Sequence, residues 1–344
     1  MTIRITRRAF SIGTTALAAM SASRPASAQQ REMTVATWGG DYAQVLRTSI
    51  DQAYVAPKGV TVLQSVGTPD TRKAKMLTER NSKVGSIDIG CFDDTDSYLL
   101  NQQQLLVNNL AELPRYEKLL PNFRTGYSVP HIHSPLAIIY NTNAMKTPPA
   151  GFSDFWDAKY KGRVGLVDIS YQYYFAMAAI LAGKGMGNYG PAQDKLRELQ
   201  RLEPRIYPSV EALAAGLKSE EVSMAPMFLA RGVMWQKAGI PVKAVIPAEG
   251  TISVAFHAVL PANSGKMDLD KEYLQQLLRP EVQAAFSEKM GYNPTLTDAQ
   301  LPAELEAVLK LTDKQQEKIV SIDQKYVSQN LSSLVNFWNR EFKR

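Results

Sequence analysis

Met33-Thr34-Val35-Ala36-Thr37-Trp38-Gly39-Gly40-Asp41-Tyr42-Ala43-Gln44-Val45-Leu46 is the stretch on which the fold turns. Met33 to Thr37 predicts a strand that ends at Trp38-Gly39-Gly40, and Tyr42, Val45, Leu46 and Ile50 then recur at helical spacing and predict a helix from Asp41 to Tyr54. The order is strand, glycine turn, helix. It repeats downstream with a strand at Val60 to Ser65, a helix at Asp70 to Asn81 and a strand at Ile87 to Phe92. That third strand runs into Asp93-Asp94-Thr95-Asp96. Strands alternating with helices predict an α/β fold with parallel pairing, and ligands of open α/β sheets sit beyond the carboxyl ends of strands. Trp38, Gly39, Asp93 and Asp94 therefore share one rim.

A second unit begins after Ser134 to Asn141, which reads as a strand crossing between units. Pro148-Pro149 marks a linker, Phe152 to Ala158 a short helix, and Arg163 to Val167 a strand. Asp168 to Tyr174 leads into a helix through Leu181. Further helices are expected at Pro191 to Leu202, Val210 to Leu217 and Leu229 to Ala238, with strands at Val222 to Met227 and Val242 to Ile246. Ile252 to Leu260 returns the chain to the first unit. Helices at Leu269 to Leu278, Glu281 to Met290 and from Ala303 onward complete the chain. The expected lobes are 31–138 plus 255–305 and 139–254 plus 306–344. Two such lobes joined by two crossing strands leave a cleft suited to clamping a small ligand.

The first 28 residues read as a twin-arginine export signal: Thr6-Arg7-Arg8-Ala9-Phe10, an apolar run from Ser11 to Ala22, and Ala26-Ser27-Ala28 as a cleavage site. The expected location is the periplasm. Removing the segment removes Arg4, Arg7, Arg8 and Arg24 and no acid, so the net charge falls from +6 to about +2, leaving little electrostatic footing for nucleic acid. Cys91 is the only cysteine, which excludes an intramolecular disulfide and leaves stability to core formation.

Five short motifs in order carry a family likeness: Trp38-Gly39-Gly40-Asp41-Tyr42, Ile87-Asp88-Ile89, Tyr140-Asn141-Thr142, Phe155-Trp156-Asp157 with Tyr160-Lys161-Gly162-Arg163-Val164, and Pro247-Ala248-Glu249-Gly250-Thr251. Together they resemble the spermidine/putrescine-type periplasmic solute-binding proteins of ABC importers. The resemblance implies a two-lobe, type II binding-protein fold with a two-segment hinge and a membrane ABC permease as partner. It further implies a monomer that binds a small molecule without catalysis and without a cofactor. Trp38 and Tyr42 match aromatic positions of the polyamine site. Ile169 and Gln172 stand where the family places an acidic pair, Met227 and Val254 where it places tryptophans, and Phe256 where it places an ammonium-gripping aspartate. A dication enclosed without partnering carboxylates is costly. The expected ligand is therefore an amino-acid-like zwitterion or an amine with one cationic end.

The expected ligand contacts are Trp38, Gly39, Asp93, Asp94, Ser170, Tyr171, Met227, Arg231 and Phe256. Aromatic faces attract ammonium groups, and of Tyr171, Tyr173 and Tyr174 the first and last share a helical face, with one of the three expected to meet the cleft. Arg231, with Arg205 as a less well placed alternative, could grip a carboxylate through its guanidinium fork. Glu249 reads as a hinge residue, and Phe256 and His257 point to opposite sides of their strand. Two other classes remain open. Iron-capturing relatives use a tyrosine pair about where this chain has Met227-Phe228, and His131-x-His133 offers two imidazoles on one strand face. Enzymes of similar bilobal shape attack with a cysteine, but Cys91 lies inside an apolar strand, the usual setting of an inert thiol.

Overall fold

A computed structural model describes residues 31–344; the expected export signal lies outside the described residues. The opening stretch forms β1 (Arg31–Thr37) and α1 (Gly40–Leu46), and the helix continues through Arg47–Val55 with wider, π-type hydrogen bonding. The turn favours glycine at Gly40 and packs Gly39 closely on Val66. Gly40 sits at φ +64°, and a Cβ on Gly39 would lie 3.0 Å from Val66 Cγ1. β2 (Val60–Val66), α2 (Pro69–Thr78), β3 (Ile89–Asp93) and α3 (Asp94–Gln102) follow. β1 pairs in parallel with both β2 and β3.

The chain then enters β4 (Val129–Asn141), a strand of 13 residues that is buried throughout. It starts earlier than the sequence pattern indicates. Pro130 cannot donate to a regular ladder, and a register shift between Pro130 and Ile132 accommodates it. β4 is the central strand of both lobes. Its first half lies between β9 (Thr251–Val259) and β10 (Asn293–Pro294), and its second half between β7 (Met224–Phe228) and β8 (Val242–Val245).

The second half of the molecule carries β5 (Gly165–Val167), α4 (Tyr171–Ala182), α5 (Gly190–Gln200), β6 (Arg205–Tyr207), α6 (Val210–Lys218) and α7 (Leu229–Lys237). β5 and β6 are parallel, and Val164 bridges to Met224 of β7. The chain returns through β9, adds α8 (Met267–Gln276) and α9 (Pro280–Met290), and ends in α10 (Ala303–Leu309), α11 (Asp313–Glu317), β11 (Ile319–Val320) and α12 (Gln324–Phe337). The helical tail expected from Ala303 is thus interrupted by β11, which joins β9 at Thr251–Ile252. Among the described residues no helix is long and apolar enough to cross a membrane.

Apolar side chains gather on both faces of each sheet. Met33, Val35, Leu46, Ile50 and Phe286 form one core of the first lobe, and Phe92, Leu100 and Val259 form a smaller one on the opposite face. Phe152, Phe155, Phe175, Leu196 and Trp338 fill one face of the second lobe, with Leu213, Leu217, Met227 and Trp235 on the other. The result is a mixed α/β fold built on one nine-stranded sheet, with β5 and β6 as a separate pair.

Candidate functional site

Asp93 is the last residue of β3 and the N-cap of α3, where its Oδ1 accepts from the Asp96 N–H at 2.9 Å. Its other carboxylate oxygen has no hydrogen-bond partner among the described residues. Burial, with Asp96 and Asp94 adding like charge, pushes the carboxyl up to about 6, while the Asp96 N–H and His257 act against the shift. The two neighbouring acids are committed. Asp94 accepts from the Ala255 N–H at 2.6 Å and contacts His257 Nε2 at 2.9 Å, and His257 Nδ1 meets Ser128 Oγ at 2.8 Å. Asp96 is ion-paired with Lys73 at 2.5 Å.

Trp38 stands at the end of β1 in an aromatic group. Its ring meets Tyr42 edge-on at 4.8 Å and Phe256 at 5.1 Å, and Phe256 meets Tyr292 at 5.2 Å. The Arg72 guanidinium lies 4.6 Å from the Trp38 ring centre. Arg231, early in α7, is half-buried, makes no ion pair among the described residues, and its charge acts on the Tyr292 hydroxyl.

From the second lobe the structure brings Tyr173, rather than Tyr171, to this group. Tyr173 lies edge-on to Phe228 at 4.9 Å, and burial together with the charges of Asp93 and Asp94 drives its hydroxyl far above the ordinary phenol range. Tyr171 instead stacks on Trp338 at 6.1 Å. Tyr174 is fully buried, and its hydroxyl accepts from the Val167 N–H at 2.6 Å. Ser170 precedes α4 without a capping hydrogen bond. Met227 is 3 % exposed and belongs to the core; its neighbour Phe228, on the opposite side of the strand, is half-buried and meets Tyr173.

A cavity of about 130 Å³ opens beside this group, lined by Asp93, Asp94, Tyr127, Tyr173, Ser253 and His257 among others. Thr95 Oγ1 donates to Gln324 Oε1 at 3.1 Å, and both residues line it. A larger groove of about 670 Å³ lies near Arg31 and Lys266, at the amino ends of the strands and away from this rim.

Several other residues have local partners. Arg205 is exposed and paired with Glu221 at 2.7 Å. Glu249 accepts from the Phe152 and Ser153 N–H groups at 3.0 Å each, capping a short helical turn. The bulge in β4 separates the environments of the two histidines. His131 contacts the Tyr42 hydroxyl at 2.6 Å, His133 contacts Ser253 Oγ at 2.9 Å, and burial lowers each to about 3. Cys91 is 1 % exposed, and burial raises its thiol. Among the described residues no cluster of three or more His, Cys, Asp or Glu is placed to hold a metal ion.

The chain is similar to known proteins in sequence and in fold. Residues 50–313 match the family model described as "Bacterial extracellular solute-binding protein". The spermidine/putrescine-binding periplasmic protein of Escherichia coli is 28% identical over 170 residues, which is 48% of this chain and 49% of that protein; its counterpart from Salmonella typhimurium matches to the same extent. The match thus spans about half the length of these curated relatives. Among solved structures, an ABC transporter protein from Clostridium perfringens superposes with a TM-score of 0.80 at 22% identity, covering 90% of this chain and 99% of that one. A GABA receptor gives 0.77 at 18%, covering 90% and 96%. The spermidine/putrescine substrate-binding protein of Streptococcus pneumoniae gives 0.72 at 18%, covering 90% and 98%. The chain belongs to the bacterial extracellular solute-binding protein family.

Proposed function

We propose that this protein is the periplasmic solute-capturing component of an ABC importer and that its guest is a small amine carrying one cationic end, most favourably an amino-acid-like zwitterion. Its lobes, 31–138 plus 255–305 and 139–254 plus 306–344, close about the two crossing strands as a monomer, and a membrane permease receives the solute. The protein binds its guest and does not transform it.

One observation carries the ligand class: among the described residues the Asp93 carboxylate makes no ion pair and keeps one oxygen without a hydrogen bond, and the half-buried Arg231 guanidinium likewise has no ion pair. An ammonium placed at Asp93 gains a counter-charge and the aromatic edges of the Trp38 group, while a carboxylate at the far end reaches Arg231. The rim cations Arg72, Lys73 and Arg231 balance the carboxylates of Asp93, Asp94 and Asp96, so a net-neutral guest suits the site and a polycation does not. The cavity is also smaller than the roughly 300 Å³ at which drug-sized sites begin. A GABA receptor among proteins of this fold is consistent with an ω-amino acid occupying such a frame.

The test is native mass spectrometry of freshly purified protein followed by a thermal-shift screen of amines, amino acids and betaines. Stabilisation should rise as RT ln(1 + [L]/Kd) for a zwitterion or monoamine. Sub-micromolar spermidine binding by calorimetry on ligand-stripped protein would refute the ligand class.

A further inference from the structure

We propose that Arg72 is the specificity-determining residue that excludes a second ammonium from the Trp38 side of the cleft. This rests on the solute-binding reading above and adds to it the residue that enforces a single positive charge.

Arg72 is the fourth residue of α2, in the first turn after the Thr68 cap, and only 3 % of it is exposed. Its Nη1 donates to the Thr37 carbonyl at 3.0 Å and to the Gly67 carbonyl at 2.7 Å. Those carbonyls lie at the ends of β1 and β2, on either side of the Trp38 turn. The guanidinium therefore clasps the loops that hold Trp38 while its plane lies 4.6 Å from the Trp38 ring centre and 5.3 Å from that of Phe92. Nε and Nη2 have no hydrogen-bond partner, although both are buried. No carboxylate is ion-paired with Arg72 among the described residues, and Asp96, which contributes to its field, is already held by Lys73.

A buried cation with two idle donors is an expensive feature for a fold to keep, because an apolar side chain of similar shape would fill the slot at no electrostatic cost. Its position gives it a use. The charge sits behind Trp38, so a ligand ammonium approaching that ring meets a like charge across it. The same charge offsets part of the Asp93 field. One ammonium still finds the free Asp93 oxygen, but a second has no carboxylate left and faces Arg72. A carboxylate or an uncharged end meets no such opposition.

Three probes of about equal length separate these effects: 4-aminobutanoate, butylamine and 1,4-diaminobutane, which end in a carboxylate, a methyl group and an ammonium. Calorimetry on the wild type should rank them in that order. Arg72→Met keeps the apolar stack, so folding should survive, and the affinity ratio of 1,4-diaminobutane to butylamine should rise about tenfold, the scale of a near charge pair at intermediate dielectric. Arg72→Lys, which restores charge without the planar clasp, should return the ratio toward the wild-type value, a rescue that a purely structural role would not give. Should Arg72→Met fold poorly, Arg72→Gln provides the same reading. An unchanged ratio in the folded neutral variants overturns the role of Arg72 alone. Failure of all three probes to bind wild type and variants overturns this inference together with the amine reading.

Discussion

At the end of β3, Asp93, Asp94 and Asp96 cap a helix, join β9 and pair with Lys73, so the first lobe offers charge that is already fixed in place. At the ends of β5 and β7 the second lobe offers the rings of Tyr173 and Phe228, and Arg231 a little further on lacks an ion pair. The two rims differ in rigidity as well as in charge. Hydrogen-bonded carboxylates cannot reorient without breaking several bonds, whereas an edge-on aromatic pair can slide a little at small cost. On the proposed reading, the first lobe serves initial capture of a cation and the second completes the enclosure on closing.

Replacing the charged anchor of each rim gives the strongest test of that contrast. Asp93→Asn retains an N-cap of equal quality but removes the rim carboxylate that has no ion pair, so binding of 4-aminobutanoate and butylamine should both fall, by roughly a hundredfold for a desolvated ion pair. Arg231→Gln should cost only about tenfold, and for 4-aminobutanoate alone, because butylamine has no carboxylate for it to meet. Calorimetry on both variants with both probes reads the result; equal losses for the two probes in Arg231→Gln would remove the zwitterion assignment. Asp93→Asn should also raise unfolding stability at pH 7, by at most about 3 kcal/mol, since its carboxyl is held above the ordinary range by burial.

Acid should act on the same contrast with a smaller effect. The Asp93 carboxyl titrates at about 6, so it carries its charge at pH 7.5 and has largely lost it at pH 5. The groups that act on it are Asp94, Asp96 and His257, with Arg72 and Tyr173 close enough to feel its charge. Affinity for butylamine should fall about tenfold between those pH values in the wild type and hardly at all in Asp93→Asn. Stability runs the other way for this residue. Its folded pKa is raised, so the proton is held more tightly in the folded chain, and its contribution falls as pH rises from about 4 to about 6. Asp270, raised to about 7 by burial, acts in the same direction. His131 and His133, lowered to about 3, oppose both by penalising acid. The whole-protein pH profile therefore mixes opposing slopes. The difference between wild type and Asp93→Asn isolates the Asp93 part, and it should vanish below pH 4.

Much of the frame was legible before any coordinates, because the alternation of strand and helix and the Trp38-Gly39-Gly40 turn follow from local chemistry. The first half of β4 was not. Its two prolines and two histidines carry no apolar alternation, and their burial depends on partners far away in sequence, Tyr42 for His131 and Ser253 for His133. Met227 and Phe228 show how much one residue matters in a strand: Met227 is core, and Phe228 on the other side is half-buried against Tyr173. Arg72 escaped notice because α2 reads as a polar surface helix. The available signal was its spacing: Arg72 and Met76, four residues apart, are the buried residues of α2, so the arginine lies on the face turned inward.

The three tyrosines of α4 give the finest comparison, since they are neighbours in sequence and separate in environment. Helical geometry groups Tyr171 with Tyr174, but which side meets the cleft depends on how α4 docks against α12 and β9, a fact no local pattern contains. In the structure Trp338 takes Tyr171, the core takes Tyr174, and Tyr173 is left beside Phe228 and within the field of Asp93. Tyr173→Phe deletes only a hydroxyl at the site and should weaken butylamine binding about threefold, the scale of one neutral hydrogen bond. Tyr171→Phe should leave affinity within error while preserving the stack on Trp338. If calorimetry finds the larger loss in Tyr171→Phe, the second rim has been drawn one helical step away from its true position, and Ser170 rather than Phe228 becomes the neighbour of the guest.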